Sequence, residues 1–207
     1  TKEEAKLFDN QNDLKNKKIT SEVCIHHLSF NDADYKTKGN FIKWNPSIKT
    51  IEDQNALWDA LRSDKIDVIA TDHAPHTFNE KNQLYVDCPS GGPLVQHSLY
   101  IMYEHFLEKR ISLEKIVEKM CHNPAILFNI KKRGFIREGF FADLVILRKN
   151  QSWVINKNNI LYKCGWSPFQ GKKINSMITH TFVSGNLAYE NGVFNQNIMG
   201  KKIEFNS

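Results

Sequence analysis

Apolar residues recur with helical spacing up to residue 133, and short runs rich in β-branched residues separate the helical segments. Such an alternation of helices and strands is typical of α/β proteins that contain a parallel sheet. The predicted helical segments are 1–14, a turn within 30–38, a segment that begins after Thr50, 94–109, 113–120 and a short segment that begins at Asn123-Pro124. The predicted strands are 19–28, 41–44 and 66–71.

The pattern changes after Gly134, where extended runs follow one another without helices between them. Ser184, Gly185 and Asn186 predict a hairpin turn. The predicted strands of this part cover 142–147, 152–155, 177–183 and 193–194. We therefore expect an α/β part followed by a β part, without an internal repeat.

The strand predicted at 66–71 carries the strongest candidate for chemistry. From Val68 on it is apolar on both faces, which suits a parallel strand that is buried on both sides. It ends in Asp72-His73-Ala74-Pro75-His76, and catalytic groups of parallel α/β folds lie at the carboxyl ends of strands. A carboxylate that leaves a core is costly unless it is paired. We therefore expect Asp72 to bind a metal or act as a general base, with His76 at the loop rim. The alternative is an aspartate that caps the next turn.

Three further segments hold candidate groups. His26 and His27 lie in a predicted strand, where neighbouring side chains point to opposite faces, so we expect a packed pair that cannot share one metal. Asn45, before Pro46, offers an amide to a polar ligand or belongs to a simple turn. The long loop 77–93 is typical of a lid or binding loop. Its backbone N–H groups could bind a carboxylate or an amide, although loop flexibility explains the same residues: Pro89, Ser90, Gly91 and Gly92.

Composition narrows the functional classes. The 207 residues carry a net charge of +5, but the lysines are scattered, which argues against a nucleic-acid partner. No apolar run approaches the roughly 18 residues of a membrane span. The four cysteines lie far apart without a CxxC pair, and a signal peptide is absent, so we expect reduced thiols in the cytoplasm. The chain starts at Thr1 rather than Met, and a (β/α)8 barrel needs about 250 residues. We therefore expect an upstream segment.

Several segments together resemble the cyclic amidohydrolases and, within them, the dihydroorotase group, over nearly the whole chain. Residues 71–76 (TDHAPH), 22–28 (EVCIHHL) and 43–49 (KWNPSIK) are similar to the last-strand motif, the seventh-strand segment and the Asn-Pro-Pro-Leu-Arg segment of that group. Residues 134–145 and 181–185 resemble the exit from the barrel and the closing hairpin of a small sandwich. The resemblance implies the carboxyl-terminal part of a (β/α)8 barrel over 1–133, followed by strands of a composite β-sandwich over 134–207.

The resemblance also implies an activity, the reversible zinc-dependent cyclisation of N-carbamoyl-L-aspartate to dihydroorotate, a step of pyrimidine synthesis. Two zinc ions per active site are expected, and Asp72 is the metal ligand and proton carrier that this chain would supply. The other ligands would lie upstream, because 1–4 resemble the residues that follow a ligand histidine. His26 and His27 match residues that are not ligands. The implied substrate-binding residues are Asn45, His76, Pro89, Ser90, Gly91 and Gly92.

The expected partners are a small-molecule substrate, the amino-terminal half of the same barrel and further copies in a homo-oligomer, but no nucleic acid and no membrane. Two alternatives remain open: an allantoinase or dihydropyrimidinase, and a non-catalytic scaffold subunit. His76, four residues after the aspartate, favours the dihydroorotase group. Ser47 and Lys49 depart from its usual Pro and Arg, and the loop at 90–93 departs from its Gly-x-x-Gly pattern.

Overall fold

The computed structural model describes residues 1–10 and 13–206. Its helices are α1 (Lys2–Ala5), α2 (Ile25–Ser29), α3 (Tyr35–Lys38), α4 (Ile51–Arg62), α5 (Phe78–Lys81), α6 (Ser98–Leu107), α7 (Leu113–Val117) and α8 (Asn123–Leu127), with 3-10 turns at Asp32–Asp34, Gly39–Ile42 and Val95–His97 and a π-helical turn at Glu118–His122. Its strands are β1 (Glu22–Cys24), β2 (Val68–Ala70), β3 (Leu144–Val154), β4 (Lys173–Val183), β5 (Asn186–Glu190) and β6 (Val193–Phe194). Among the described residues, no helix is long and apolar enough to cross a bilayer.

Strands β1 and β2 form a parallel pair, and the connection between them contains α2, α3 and α4. Cys24 stands opposite Ala70 in the register. Because parallel strands end at the same edge, the residues after Cys24 and after Ala70 emerge side by side. The predicted strand at 66–71 is confirmed at its centre, and so is the helix after Thr50, whose side-chain oxygen accepts from the Asp53 N–H.

The prediction of a strand over 19–28 is wrong beyond Cys24, because the chain turns into α2 there. The turn places Ile25, His26 and Leu28 in the core, each with 0% exposure. The Leu28 carbonyl then accepts a hydrogen bond from Trp58 Nε1 at 3.1 Å. Strand β1 pairs with β2 over only three residues. The helical turn that follows it buries three further side chains.

Three other predicted elements differ from the structure. Helix α1 begins at its Thr1 cap as predicted but ends at Ala5, whereas the prediction ran to 14 and included 11–12, which lie outside the described residues. The segment predicted as extended at 41–44 starts within a 3-10 turn. The loop 77–93 contains α5, whose cap is Thr77.

The second part is a four-stranded antiparallel sheet in the order β3-β4-β5-β6. The two strands predicted at 142–147 and 152–155 are one strand, because a register shift between Lys149 and Trp153 absorbs the polar residues between them. The hairpin predicted with its turn at Ser184, Gly185 and Asn186 is confirmed, but Asn186 already begins β5, so the turn consists of Ser184 and Gly185, with φ values of 52° and 86°. Strand β4 lies against α6, where the Ile178 N–H donates to the Tyr100 hydroxyl at 3.0 Å.

Candidate active site

Asp72 lies two residues beyond the end of β2 and is exposed. Its φ is 46°, in the left-handed region that aspartate tolerates better than most residues. Backbone of this kind recurs where a functional group must be aimed against local preference. The next helix, α5, is capped by Thr77, whose side chain accepts from the Glu80 N–H, so Asp72 is not needed as its cap.

The end of β1 brings three metal-binding side chains to the same edge. One ligand atom from each of Cys24, His26 and His27 lies within 4.8 Å of the others. The expectation that the two histidines cannot face one metal is therefore wrong. It assumed a strand, whereas α2 places their ring centroids 4.2 Å apart. No feature of the sequence singled out Cys24 as a member of this cluster.

Burial and the charge of Asp72 act on these side chains. Burial is the main reason why the pKa of the Cys24 thiol rises to about 12, and the Asp72 carboxylate adds to the rise. Burial lowers the pKa of His26 to about 2, so its ring is neutral. Burial also lowers the pKa of His27, against the opposing effects of the Pro46 carbonyl and Asp72. The edge of the strand pair therefore combines neutral donors with one carboxylate.

His76 points toward the loop that the sequence predicted to bind substrate. Its Nε2 lies 3.0 Å from the Ser90 carbonyl oxygen. A carbonyl only accepts, so Nε2 carries the proton and Nδ1 is the ring atom left for a ligand. The His76 carbonyl in turn accepts from Trp166 Nε1 at 2.8 Å. Both the backbone and the ring of this histidine are thus held in place.

The two glycines of the loop lie so close to neighbouring groups that a side chain would not fit at either position. A Cβ on Gly91 would lie 2.8 Å from Ala74 Cβ and from the Ala74 carbonyl oxygen, and its φ is +113°. A Cβ on Gly92 would lie 2.8 Å from the ring of Trp44. The Gly91 N–H donates to the Lys43 carbonyl at 2.9 Å, and the Ala74 N–H donates to the Gly92 carbonyl at 3.2 Å. The loop is therefore packed onto the end of β2 rather than free.

Two lysines fix this loop, and the sequence did not point to either. Lys81 is fully buried, and its Nζ donates to the Pro89 carbonyl at 2.9 Å. The Nζ of Lys43 donates to the carbonyls of Tyr85 and Cys88 at 2.6 and 2.5 Å. Burial lowers the pKa of Lys81. The sequence does not predict the burial of Lys81 or the contacts of Lys43, because both lysines bind backbone carbonyls, which every residue carries.

Asn45 is exposed and stands on the neighbouring segment. The carbonyl of Pro46 after it accepts from His27 Nε2 at 3.0 Å, which ties this segment to α2. The Lys43 carbonyl ties the same segment to Gly91. The structure therefore joins the segments that carry Asn45, His76 and the loop residues around the strand ends.

Comparisons with known proteins bear on this arrangement. Residues 12–188 match the amidohydrolase family. A dihydroorotase of Endomicrobium trichonymphae is 35% identical over 177 residues, which are 85% of this chain and 42% of that protein. A dihydroorotase of Ehrlichia canis (strain Jake) is 36% identical over 173 residues, which are 83% of this chain and 38% of that protein. The chain spans about two fifths of the length of these curated relatives.

Solved structures share the fold. An L-hydantoinase (dihydropyrimidinase) from Arthrobacter aurescens superposes with a TM-score of 0.84 at 26% identity, over 93% of this chain and 44% of that one. A D-hydantoinase (dihydropyrimidinase) from Thermus sp. gives a TM-score of 0.77 at 22% identity, over 91% of this chain and 42% of that one. The second likeness concerns the fold alone.

Proposed function

Because this chain belongs to the amidohydrolase family, we propose that it is the carboxyl-terminal part of a dihydroorotase, which interconverts N-carbamoyl-L-aspartate and dihydroorotate in pyrimidine synthesis. The observation that carries the proposal is the end of β2, where Asp72 leaves the strand in left-handed backbone and His76 follows on a fixed loop. Relatives named dihydroorotase, at 35% and 36% identity, support this substrate class.

The finer fold is part of the same proposal. Residues 1–133 form the carboxyl-terminal part of a (β/α)8 barrel, and 134–207 form strands of a composite β-sandwich. The parallel pair β1-β2 supports the first assignment, and the antiparallel sheet β3-β4-β5-β6 supports the second. The remaining barrel strands and most metal ligands come from an upstream half, which is the first partner of this chain.

The proposed cofactor is a pair of zinc ions, with Asp72 as the ligand contributed here. The residue fits this role, because its carboxylate is exposed at the strand end and Thr77 caps α5. When bound, the metal pair supplies an acidified water and polarises the amide carbonyl. Asp72 accepts the proton of the attacking water and returns it to the leaving ring nitrogen, as general base and then general acid.

Substrate binding falls to the residues around Asp72. His76 binds a substrate carboxylate, while its Nε2 stays on the Ser90 carbonyl. The Asn45 amide and the backbone from Pro89 to Gly92 contact the polar atoms of the pyrimidine ring. The Gly91 N–H already donates to Lys43, so Gly91 offers its carbonyl.

The proposal extends to a homo-oligomer of the whole protein in the cytoplasm. The four cysteines are free, which suits a reducing compartment. A second candidate is a dihydropyrimidinase or allantoinase, which the L-hydantoinase likeness favours, with its TM-score of 0.84. A third is a scaffold subunit without activity, which would retain the fold and lack turnover.

The test is dihydroorotate hydrolysis by the natural protein that carries this chain, compared with its Asp72→Asn variant. We expect kcat to fall about 10³-fold, because the proton carrier and a metal ligand are lost. The matched control is Asp87→Asn, an exposed aspartate on the loop 77–93, which should keep full activity.

Unchanged turnover in Asp72→Asn would contradict the assigned role. Faster turnover of hydantoin or allantoin than of dihydroorotate would favour the second candidate. A folded natural protein with no turnover of any of these substrates would favour the scaffold subunit.

A further inference from the structure

The cluster at the end of β1 has a donor set of its own, apart from Asp72. Cys24 offers a sulfur, and His26 and His27 offer ring nitrogens, with one atom of each within 4.8 Å of the others. A thiolate combined with imidazoles is the ligand chemistry that Zn²⁺ and similar borderline ions prefer. The substrate-binding and proton-transfer roles proposed above use none of these three side chains.

His26 supplies an independent sign of a ligand. Its side chain is fully buried, and neither Nδ1 nor Nε2 has a hydrogen-bond partner among the described residues. The ring stacks on Trp44, with centroids 4.3 Å apart and planes 10° apart. Buried polar atoms without partners are rare in proteins, because each loses its bonds to water without replacement. A bound ion would give one of these nitrogens a partner.

His27 is prepared to act as a ligand. Its Nε2 lies 3.0 Å from the Pro46 carbonyl, which can only accept, so Nε2 carries the hydrogen. In the neutral ring Nδ1 then keeps its lone pair. Histidine ligands of metals commonly donate their second ring N–H to a carbonyl or carboxylate in this way, which fixes both tautomer and orientation.

We propose that Cys24, His26 and His27 bind one ion of the Zn²⁺ class, in a site separate from the metal pair assigned to Asp72. Zinc–sulfur and zinc–nitrogen bond lengths in a tetrahedral site place these ligand atoms about 3.3–3.6 Å apart, so the side chains would close by no more than about 1.5 Å. The Cys24 S–H bond breaks as the sulfur–metal bond forms, and the proton leaves to solvent. The fourth position is open to water. This inference does not rest on the proposed function.

The test uses Co²⁺ as the probe in the natural protein that carries this chain, freed of metal and kept reduced. Thiolate ligation of Co²⁺ gives a charge-transfer absorption in the near ultraviolet that carboxylate and imidazole ligands alone do not give. We expect this band in the wild type, and loss of the band in Cys24→Ser. Zinc content should fall by one ion per chain in that variant.

The matched control is Cys121→Ser, an exposed cysteine of the π-helical turn, which should keep the band and the zinc content. Asp72→Asn should also keep the band, because its carboxylate belongs to the other site. Absence of the band in the wild type, or its persistence in folded Cys24→Ser, would overturn the site. If Asp72→Asn stays active while the band is present, the proposed function fails and the inference stands.

A second variant guards against misfolding. His27→Gln keeps a polar side chain at a half-buried position and removes the Nδ1 ligand. We expect Co²⁺ to bind at least tenfold more weakly to this variant, with a thermal midpoint close to the wild type when both lack metal. Equal Co²⁺ affinity in the two proteins would overturn the ligand role of His27.

Discussion

The parallel pair and the antiparallel sheet of this molecule bury their strands differently. In β2, Val68 and Ile69 are buried, and the strand ends in the polar run that carries Asp72. In β3, the side chains are half-buried or exposed along the whole strand. The candidate site therefore lies at the rim of the core, where a strand with two buried residues ends.

Strand β4 explains how the two regions are joined. Its Ile174 and Ser176 are fully buried, and the Glu104 carboxylate on α6 accepts from the Asn175 N–H at 2.7 Å. The outer strand β6 is exposed at both of its residues. The sheet thus reaches the main core through part of β4 and is exposed at β6, whereas both strands of the parallel pair contribute to that core. Substitutions should act unequally on the two regions.

The largest difference is expected from truncating a buried and an exposed side chain. Leu61→Ala on α4 removes a fully buried group of the main core and should lower the free energy of unfolding by about 4 kcal/mol. Phe194→Ala on β6, where the ring is 54% exposed, should lower it by less than about 1 kcal/mol. Urea denaturation measures both. Equal losses would break the comparison.

The second prediction concerns how stability depends on pH through the buried His97. His97 is fully buried, its Nδ1 lies 3.0 Å from Ser167 Oγ, and burial lowers its pKa from 6.5 to about 4. Between these values the unfolded chain binds a proton that the folded chain does not bind. Stability is therefore complete above pH 6.5, and it falls by about 3 kcal/mol as the pH drops to 4.

His97→Gln should remove this part of the acid loss, measured as the difference in unfolding free energy between pH 7 and pH 4. The same substitution at the half-buried His122 is the control, and it should leave most of the wild-type slope. Parallel pH profiles for wild type and His97→Gln would contradict the assignment.

The third prediction compares two glycines with positive φ. Gly91→Ala meets both an unfavourable φ of +113° and the Ala74 carbonyl at 2.8 Å, whereas Gly171→Ala meets a φ of +87° in open space. We expect Gly91→Ala to cost about 2 kcal/mol more than Gly171→Ala. Thermal unfolding measures the difference. Similar losses of stability in the two variants would show that the loop shifts to accommodate the new side chain without strain.

The smallest effect is expected at the start of β3, next to the turn between β4 and β5. Asp143 Oδ1 accepts from the Ser184 N–H at 2.7 Å, and Oδ2 pairs with Arg133. Asp143→Asn keeps the first bond and weakens the second, so we expect a loss of about 1 kcal/mol that shrinks at high salt. Glu138→Gln, at an exposed site, is the control. A loss that salt leaves unchanged would exclude an ionic origin.

Local patterns predicted the parts of the fold that depend on local forces. The strand at β2 and the Thr50-capped α4 follow from periodicity and capping chemistry. The ends of β1 cannot be predicted from local sequence, because they depend on how far this strand pairs with β2. The joining of two predicted strands into β3 depends on its long partner β4.

The candidate site divides in the same way. Asp72 and His76 belong to a run whose residue types and position after a strand predict a metal-binding or catalytic site. Lys81 and Cys24 gave no such signal. Lys81 donates to a carbonyl of its own loop and to the carbonyl of Lys43 on another segment. Cys24 meets the two histidines only because the chain turns into α2. The first case depends on a contact between distant segments, and the second depends on where β1 ends.

The left-handed backbone at Asp72, with its φ of 46°, also limits how this position can change in evolution. Asparagine shares the tolerance of aspartate for this conformation, whereas branched and bulky residues do not. One base separates the codons of these two amino acids. Under the function proposed above, a single mutation at this position would therefore remove the proton carrier and keep a residue that tolerates the same backbone conformation, which is a short path from an enzyme to a folded, inactive descendant.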